Sequence, residues 1–428
     1  MHVVLVLDHA YINGGQAKVA IESGLGLRAR GHQVTLFTAV GPADPRLAAA
    51  GIEVVCLGQD DIRTTGNKAA FAVQAVWNVR AQRALAGFLG GCDPLQTLVH
   101  VHGWAQALSP SIGPALAGSG LPLLYTMHEF FLVCPNGGFY DYPRAEVCHR
   151  RPASASCLAT NCDSRSYPRK VLRVVRHAGL GGASGLRRAM RHVATISQLQ
   201  ENVSRRYFPE GTRFHRIDNP ISVPDLGPKP DGEPGGFLYV GRLSPEKGVH
   251  LFAEAARRIG AVPVLVGDGP GADEIRARYP EAVLLGWKNP DEVRALLRAA
   301  RALVFPSVWY EGQPLTVYEA LAVGTPVVVS DVCAGREAVV DGANGHWFRS
   351  GDADDLAAKL QHLSDDGPAR AMAAEAYRRY WAAPLTLDRH LDRLTAIYAA
   401  VREEHLLARR RVACPPPRAG TEQPGLVG

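Results

Sequence analysis

Two series of short apolar segments alternate with helical patterns, and a stretch rich in proline and glycine separates the two series. The first series contains VVLVLD, QVTLFTA, IEVVCL, TLVHVHG, PLLYTMH and VATIS, and the second contains FLYVGRL, PVLVGDG, AVLLGW, ALVFPS and PVVVSD. Short, continuously apolar segments between helices are typical of parallel strands that are covered on both faces. The pattern therefore predicts an α/β fold of two facing, doubly wound domains, with a ligand cleft at the carboxyl ends of the strands.

The length of 428 residues suits two domains better than one core. The segment NPISVPDLGPKPDGEPGG has the composition of an exposed linker, and the last residues, rich in proline and glycine, are predicted to be disordered. We predict a first domain over 1–218 with an insertion at 130–170, a linker over 219–236, a second domain over 237–382, a helix over 383–411 that crosses back to the first domain, and a tail over 412–428.

The net charge of +6 is small for this length, and the basic residues do not gather on a recognisable reading element, so no nucleic-acid partner is expected. The opening MHVVLVLDHA lacks a basic leader and is interpreted as a buried strand, and no apolar run approaches the length of a membrane span. We therefore expect a cytoplasmic protein, in which the eight cysteines are not structural disulfides.

The segment WYEGQPLTVYEA places two carboxylates, Glu311 and Glu319, on either side of a Gly-Gln-Pro turn. Pro314 suits the first turn of a helix, whose free N–H groups near Gln313 to Thr316 can bind an anion such as phosphate. A carboxylate accepts two hydrogen bonds and so matches the vicinal diol of a sugar ring. Taken alone, the two acids are better explained by helix-dipole stabilisation through Glu319 and a solvated Glu311.

A second motif, GRLSPEKG, follows the first strand of the second series and carries Arg242 and Lys247 at a predicted helix start. Two cations beside free helix N–H groups can clamp a pyrophosphate. The alternative is a surface arginine and lysine, but acids are favoured at a helix N-terminus, so cations there point to function.

In these motifs the second half resembles the retaining glycosyltransferases of family 4, which have the GT-B fold of two facing Rossmann-like domains. The resemblance also includes VGDGP, the longer segment PSVWYEGQPLTVYEALAVGTPVV and DGANG, and it covers nearly all of 237–363. The first half matches more loosely, through the Gly14-Gly15 loop and His128 in YTMHE.

The resemblance implies a catalytic group of His128, Arg242, Lys247 and Glu311. It implies that Glu319 holds the ribose and that Glu311 contacts the transferred sugar. The implied donor-binding residues are Gly14, Gly15, Gly241, Arg242, Lys247, Gly267, Gly312, Gln313, Pro314, Leu315 and Glu319. It further implies same-face attack without a protein nucleophile, and no divalent metal for catalysis.

By this resemblance the chain is expected to transfer a sugar from a UDP- or GDP-sugar to a glycan or lipid-linked acceptor, with retention of configuration. Surface polysaccharide or glycolipid synthesis is the expected setting. Two alternatives stay open: a nucleotide-sugar epimerase of the same architecture, and a non-catalytic partner that binds sugar nucleotides.

The insertion carries Cys134, Cys148, Cys157 and Cys162 in a stretch with little apolar content. Four thiolates could hold a structural zinc ion, while a disulfide pair, an iron–sulfur cluster or four unrelated thiols are the alternatives. The arginine-rich stretch 165–191 that follows could touch the inner face of a membrane, form a solvated face, or bind a phosphate of the acceptor.

Overall fold

The computed structural model describes residues 1–61, 65–66, 68–230 and 235–413. The predicted tail from 414 onward and residues 231–234 of the predicted linker lie outside the described residues. The strands are β1 (His2–His9), β2 (Gln33–Val40), β3 (Glu53–Cys56), β4 (Thr97–Val101), β5 (Leu123–Met127), β6 (Tyr140–Asp141), β7 (Glu146–Val147), β8 (His192–Thr195), β9 (Arg213–Arg216), β10 (Phe237–Val240), β11 (Val264–Val266), β12 (Val283–Leu284), β13 (Ala302–Phe305), β14 (Val327–Ser330) and β15 (Gly345–Phe348).

The helices cover both faces of the sheets. They are α1 (Gly15–Ala29), α2 (Pro45–Ala49), α3 (Lys68–Val76), α4 (Val79–Gly90), α5 (Ile112–Gly118), α6 (Ala155–Ala159), α7 (Tyr167–Gly181), α8 (Leu186–Ala189), α9 (Gln198–Ser204), α10 (Val249–Arg258), α11 (Ala272–Arg278), α12 (Pro290–Ala299), α13 (Leu315–Ala322), α14 (Ala353–Ser364), α15 (Asp366–Ala382) and α16 (Leu387–Ala413). Among the described helices, none is long and apolar enough to span a bilayer.

Two parallel sheets organise the chain. The first has seven strands in the order β3-β2-β1-β4-β5-β8-β9, and the second has six in the order β12-β11-β10-β13-β14-β15. The strand order reverses between β1 and β4 and between β10 and β13, and ligands of such sheets bind at these reversals. Most of the predicted site residues lie in the loops that leave the sheets there, after β1, β10 and β13, whereas His128 follows β5 and Gly267 follows β11.

Each sheet is buried on both faces, as its apolar strands predict. Val3 to Leu7 of β1 are almost fully buried, and the core divides into one apolar cluster on each face of each sheet. Helix α16 returns to the first domain, where Leu391, Leu394 and Tyr398 join the core beside α1. The predicted crossing helix is thereby confirmed. It begins at Leu387, later than the predicted 383, because the preceding segment contains Pro384.

Two glycines allow close backbone contacts beneath the site. Gly248 has φ +69°, and a Cβ there would lie 2.0 Å from the Pro306 carbonyl oxygen. Gly267 has φ +125°, and a Cβ there would lie 2.1 Å from the Gly241 oxygen. Since L-residues rarely adopt such φ values, both positions require glycine. Gly248 thereby brings the turn that carries Lys247 against the end of β13.

Candidate active site

Glu311 is the centre of a compact polar group in the loop after β13. One oxygen of its carboxylate accepts hydrogen bonds from Ser307 Oγ at 2.9 Å and from Trp309 Nε1 at 2.7 Å. The same oxygen, Oε1, forms an ion pair with the ammonium of Lys247. Lys247 also stands 5.1 Å from the centre of the Trp309 ring. The predicted pair Lys247 and Glu311 is therefore in direct contact.

Opposing effects act on the Glu311 carboxyl. Burial favours its neutral form, but the Lys247 ammonium and the two hydrogen bonds outweigh burial and lower the pKa of Glu311. The group is thus a fixed carboxylate. No residue that the structure describes bonds to its second oxygen, so Oε2 can accept hydrogen bonds from a ligand.

Glu319 differs from Glu311 although both flank the same turn. It lies on α13, its carboxyl group makes no hydrogen bond with any described residue, and burial raises its pKa. Lys18 of α1, in the other domain, and Arg294 act against this rise. The carboxyl therefore faces the cleft between the domains with both oxygens available.

The two predicted cations are not equivalent. Lys247 ends a short 3₁₀ turn and is held by Glu311. Arg242 is exposed just after β10 and forms no ion pair with the residues that the structure describes, while its carbonyl oxygen accepts a 2.8 Å hydrogen bond from Tyr239. Arg242 is thus free to bind an anion.

The start of α13 departs from the prediction by one residue. Pro314 caps the helix from outside, with ψ 104°, and the helix begins at Leu315. The side-chain oxygen of Gln313 accepts the Asn219 N–H at 2.6 Å, so this side chain ties the loop to the linker. A Cβ on Gly312 would lie 3.0 Å from Ile196, so a small residue allows the domains to touch. Anion binding here falls to the N–H groups of Leu315 and Thr316.

His128 approaches from the first domain at the end of β5. Its Nε2 lies 3.0 Å from Nδ1 of His102, which follows β4, and the two rings are stacked. Burial lowers the pKa of His128 to about 3. The imidazole is therefore neutral at physiological pH, and a hydrogen bond joins it to the His102 ring.

The Gly14-Gly15 loop begins α1 on the same side of the cleft. A Cβ on either glycine would meet no atom within 4 Å, so the space in front of this loop is open. Next to it, Gln16 donates a 2.7 Å hydrogen bond to the His102 carbonyl oxygen. The open space leaves room for a ligand, and the binding role of the two glycines stays a prediction.

Three further ionisable residues lie in this part of the first domain, and no sequence motif identifies them: Asp8, His102 and Glu129. The Asp8 carboxylate accepts N–H groups of residues 106, 107 and 108 at 3.0, 2.8 and 2.9 Å. Burial, together with the Asp8 charge, raises the pKa of Glu129 to about 7. Asp8 lies near the end of β1, His102 follows β4 and Glu129 follows β5. Their position at the carboxyl ends of strands near the order reversal is the sequence feature that could have identified them.

The insertion contacts the loop that holds Glu311. Phe130 and Phe139 lie 6.3 and 6.4 Å from the Tyr310 ring, and Tyr140 lies 6.4 Å from Trp309. The insertion, which includes the β6–β7 hairpin and α6, thus forms part of the cleft wall.

Two of the four cysteines of the insertion contact a buried lysine. Cys134, Cys157 and Cys162 are buried and Cys148 is half-buried. Lys170, only 1% exposed, donates to Cys162 Sγ at 3.0 Å and to Cys157 Sγ at 3.6 Å. Within the described ranges, no group of three or more His, Cys, Asp and Glu side chains could hold a metal ion. The structural zinc stays a prediction, and the ammonium of Lys170 lies between two of its proposed ligands.

Together, these groups can bind a diphosphate that is flanked by two hydroxyl-bearing rings. Arg242, Lys247 and the α13 N-terminus supply positive charge and N–H donors, and Glu311 and Glu319 supply acceptors on either side. Neutral His128 faces them from the other domain.

Two family models match the chain. The model described as glycosyl transferases group 1 matches residues 228–380, and that described as glycosyl transferase 4-like domain matches residues 14–220. Between them they include every predicted site residue and all four cysteines of the insertion.

Two curated relatives illustrate the similarity. The chain is 31% identical over 175 residues to the UDP-Gal:alpha-D-GlcNAc-diphosphoundecaprenol alpha-1,3-galactosyltransferase of Escherichia coli, a match that covers 37% of this chain and 44% of that protein. It is 30% identical over 295 residues to a glycogen synthase of Mycobacterium tuberculosis, covering 65% of this chain and 67% of that protein. The match thus spans less than half of the first relative.

Solved structures share the architecture. The Anabaena protein HepE in complex with UDP and glucose superposes with a TM-score of 0.63 at 15% identity, covering 94% of this chain and 100% of that chain. A sucrose-phosphate synthase from Thermosynechococcus elongatus gives a TM-score of 0.62 at 18% identity, covering 94% and 98%. At such identities the likeness concerns the fold alone, and it confirms the prediction of two facing Rossmann-like domains.

Proposed function

Because this chain belongs to the glycosyl transferases of group 1, we propose that it transfers a sugar from a nucleotide-sugar donor to a hydroxyl of a glycan or lipid-linked acceptor, with retention of anomeric configuration. The observation that carries the proposal is the ion pair of Lys247 and Glu311 beside the start of α13, with neutral His128 opposite. An arrangement of this kind suits a sugar diphosphate, because its phosphates need cations and its hydroxyl groups need hydrogen-bond acceptors within one site.

The donor is a UDP- or GDP-sugar. The names of similar proteins favour uridine, since one is a UDP-Gal transferase and another was crystallised with UDP and glucose. We assign the diphosphate to Arg242 and Lys247, the ribose to Glu319, and the transferred sugar to Oε2 of Glu311. His128 contacts the sugar and the phosphate from the first domain.

We propose that the acceptor hydroxyl attacks the anomeric carbon on the face from which the diphosphate leaves. The bond between the anomeric carbon and the phosphate oxygen breaks, and the departing phosphate takes the acceptor proton. Arg242 and Lys247 stabilise the negative charge on the leaving group, which is the role that a divalent metal would otherwise have. Neither Glu311, held by Lys247, nor neutral His128 needs to act as a nucleophile.

The expected setting is the cytoplasmic side of a membrane, in surface polysaccharide or glycolipid synthesis. The E. coli relative, which acts on a diphosphoundecaprenol-linked sugar, supports this choice of acceptor class.

A screen of nucleotide sugars tests the proposal. In a thermal-shift assay, a ligand present at a hundred times its Kd adds roughly 2.7 kcal/mol to the free energy of unfolding. The best donor is then incubated with candidate acceptors, and NMR reads the anomeric configuration of the product. Acceptor-dependent release of the nucleotide diphosphate supports a transferase. Conversion of the donor sugar without release identifies an epimerase, and binding without any turnover identifies a non-catalytic partner.

A further inference from the structure

His102 and His128 form a hydrogen-bonded pair at the carboxyl ends of β4 and β5. The two rings are stacked with their centroids 5.3 Å apart, and Nδ1 of His102 lies 3.0 Å from Nε2 of His128. His102 is only 2% exposed, whereas His128 is partly exposed at the cleft. His102 therefore lies behind the histidine that we assign to the donor, inside the first domain.

Several contacts hold His102 in place. Its backbone N–H donates to the Val6 carbonyl oxygen at 2.9 Å, and its carbonyl oxygen accepts the side-chain N–H of Gln16 at 2.7 Å. Its ring also packs on that of His100, with centroids 4.0 Å apart, and His100 is itself held by hydrogen bonds at both ring nitrogens. These contacts fix both the main chain and the ring of His102 against His128.

The hydrogen bond between the two rings can run in either direction. Burial lowers the pKa of both imidazoles, so each neutral ring carries one proton, on either Nδ1 or Nε2. If His128 donated from Nε2, the proton of His102 would have to be on its own Nε2. If His102 donates from Nδ1, its Nε2 is an acceptor, and the proton of His128 is on Nδ1.

The surroundings of His102 Nε2 favour the second direction. This atom is buried and forms no hydrogen bond with the residues that the structure describes. Buried N–H groups without an acceptor are rare in folded proteins, whereas acceptors without a donor are less rare. The favoured arrangement has His102 as the donor, which places the proton of His128 on Nδ1.

The free nitrogen of His128 is the one that a ligand can reach. Its Nδ1 makes no hydrogen bond with any residue in the described ranges, and its ring is partly exposed. An ionised phosphate oxygen can only accept a hydrogen bond, so it needs a donor. With its proton on Nε2, His128 would present a lone pair to the phosphate, and with its proton on Nδ1 it presents an N–H. The direction of the bond to His102 thus decides how His128 meets the donor.

Resting on the proposed sugar transfer, we propose that His102 is a positioning residue that fixes the tautomer of His128. The Nδ1–H of His102 donates to Nε2 of His128, and His128 then offers its own Nδ1–H to the phosphate or to a hydroxyl of the donor sugar. His102 itself does not touch the substrate. It acts only through the orientation and the proton position of the neighbouring ring.

The tautomer can be measured without any substrate. In the full chain labelled with ¹³C- and ¹⁵N-histidine, the NMR shifts of the ring atoms distinguish a proton on Nδ1 from one on Nε2, and the spectrum of His128→Gln assigns the signals of His128. We expect the wild type to carry the proton of His128 on Nδ1 at neutral pH. A proton on Nε2 of His128 would overturn the proposal.

Two variants of His102 separate the hydrogen bond from the packing. His102→Phe keeps a ring against His100 but loses the donor, whereas His102→Asn keeps an N–H donor near the position of Nδ1 but loses the ring. His102→Phe should lower kcat/KM for the nucleotide-sugar donor by about tenfold, and His102→Asn should retain most of the activity. In His102→Phe, the proton of His128 should also move from Nδ1 towards Nε2. The reverse order of activities would show that His102 acts by packing, and would contradict the proposal.

The pair of His192 and His215 is a matched control. Nδ1 of His192 lies 3.1 Å from Nε2 of His215, and these rings are also stacked. His192 begins β8, which runs parallel to β5, so this pair lies at the amino ends of the strands, away from the cleft. His192→Phe should leave kcat/KM unchanged, and a tenfold loss in this variant as well would mean that general destabilisation causes the effect, which contradicts the proposal. A wild type that binds no nucleotide sugar would contradict the proposed function instead, and the NMR measurement would still decide the tautomer.

Discussion

The two walls of the cleft shift the pKa values of their central ionisable groups in different directions. In the second domain, Lys247 and Glu311 contact each other, and the pKa of Glu311 is lowered, so both carry full charge. In the first domain, burial lowers the pKa of His128 to about 3 and raises that of Glu129 to about 7. At neutral pH Lys247 and Glu311, which we call the charged wall, form an ion pair. In His128 and Glu129, which we call the neutral wall, the imidazole is neutral and the carboxyl is only partly ionised.

The difference suits a site with two substrates. A diphosphate leaving group gains negative charge as the bond breaks, so fixed cations next to it stabilise the transition state. An acceptor hydroxyl needs hydrogen-bond partners without strong competing charge. The contrast between the charged wall and the neutral wall therefore separates donor chemistry from acceptor binding, and each prediction below tests one side of it.

The largest effect is expected for Lys247→Ala on the charged wall. Loss of this cation should lower kcat/KM by about 10²–10³, because its interaction strengthens as the diphosphate departs. Steady-state assays with the identified donor measure the loss. Arg242→Ala should have a smaller effect in the same direction, since Arg242 is exposed to solvent.

A double variant controls for folding in this test. Lys247→Ala leaves the Glu311 carboxylate without its ion-pair partner, which destabilises the protein by itself. Lys247→Ala/Glu311→Gln removes the unpaired charge and should regain stability without regaining activity. Near-normal turnover in both the Lys247 and the Arg242 variants would remove the diphosphate role.

The neutral wall is tested through Glu129→Gln and pH. Because the pKa of Glu129 is raised from 4.5 to about 7, the folded chain binds an extra proton between these values. The stability that this bound proton contributes is therefore lost as the pH rises from about 4.5 to about 7. Glu129→Gln should be stabilised over the wild type by on the order of 3 kcal/mol above about pH 7.5, and by nothing below about pH 4.

Urea unfolding of both proteins across this range gives the difference directly. The shared histidine titrations cancel in that difference, so it reports Glu129 alone. A constant difference at every pH would show that Glu129 is solvated and that the neutral wall does not exist in this form.

The two walls also differ in how much of each could be predicted from the sequence. GRLSPEKG and WYEGQPLTVYEA point to Lys247, Glu311 and Glu319 because each motif is local and sits at the end of a strand. The structure brings Lys247 and Glu311 into contact. The neutral wall depends on burial by distant segments. His102 lies 26 residues before His128, and Asp8 reaches the backbone near Gln106, so no local pattern shows that these groups meet.

The next prediction divides the two acids of the charged wall. Glu319→Gln should weaken binding of bare UDP by roughly ten- to a hundredfold, because the ribose loses charge-assisted hydrogen bonds. Glu311→Gln should spare UDP binding, since it frees Lys247 for the phosphate, and should impair sugar transfer. Calorimetry with UDP and turnover assays separate the two effects. Equal UDP affinity in both variants would show that the assignment of ribose and sugar is wrong.

The smallest effect is expected at Lys170, the buried lysine of the insertion, compared with Lys247. Lys170 contacts thiols where Lys247 contacts a carboxylate, and burial raises the pKa of Cys162, so that thiol stays protonated at neutral pH. Replacing an ammonium that has only neutral sulfur partners by a side chain of similar volume removes a desolvation cost together with weak hydrogen bonds. Lys170→Met should therefore change the free energy of unfolding by no more than about 1.5 kcal/mol, whereas Lys247→Met should abolish most activity.

Denaturant titration measures the change in the free energy of unfolding, and elemental analysis of the same untagged preparations measures bound zinc. About one zinc per chain in the wild type, lost together with several kcal/mol of stability in Lys170→Met, would mean that the sulfurs are thiolates whose charge Lys170 offsets. That outcome would support the zinc site predicted from the four cysteines and contradict the expectation for Lys170.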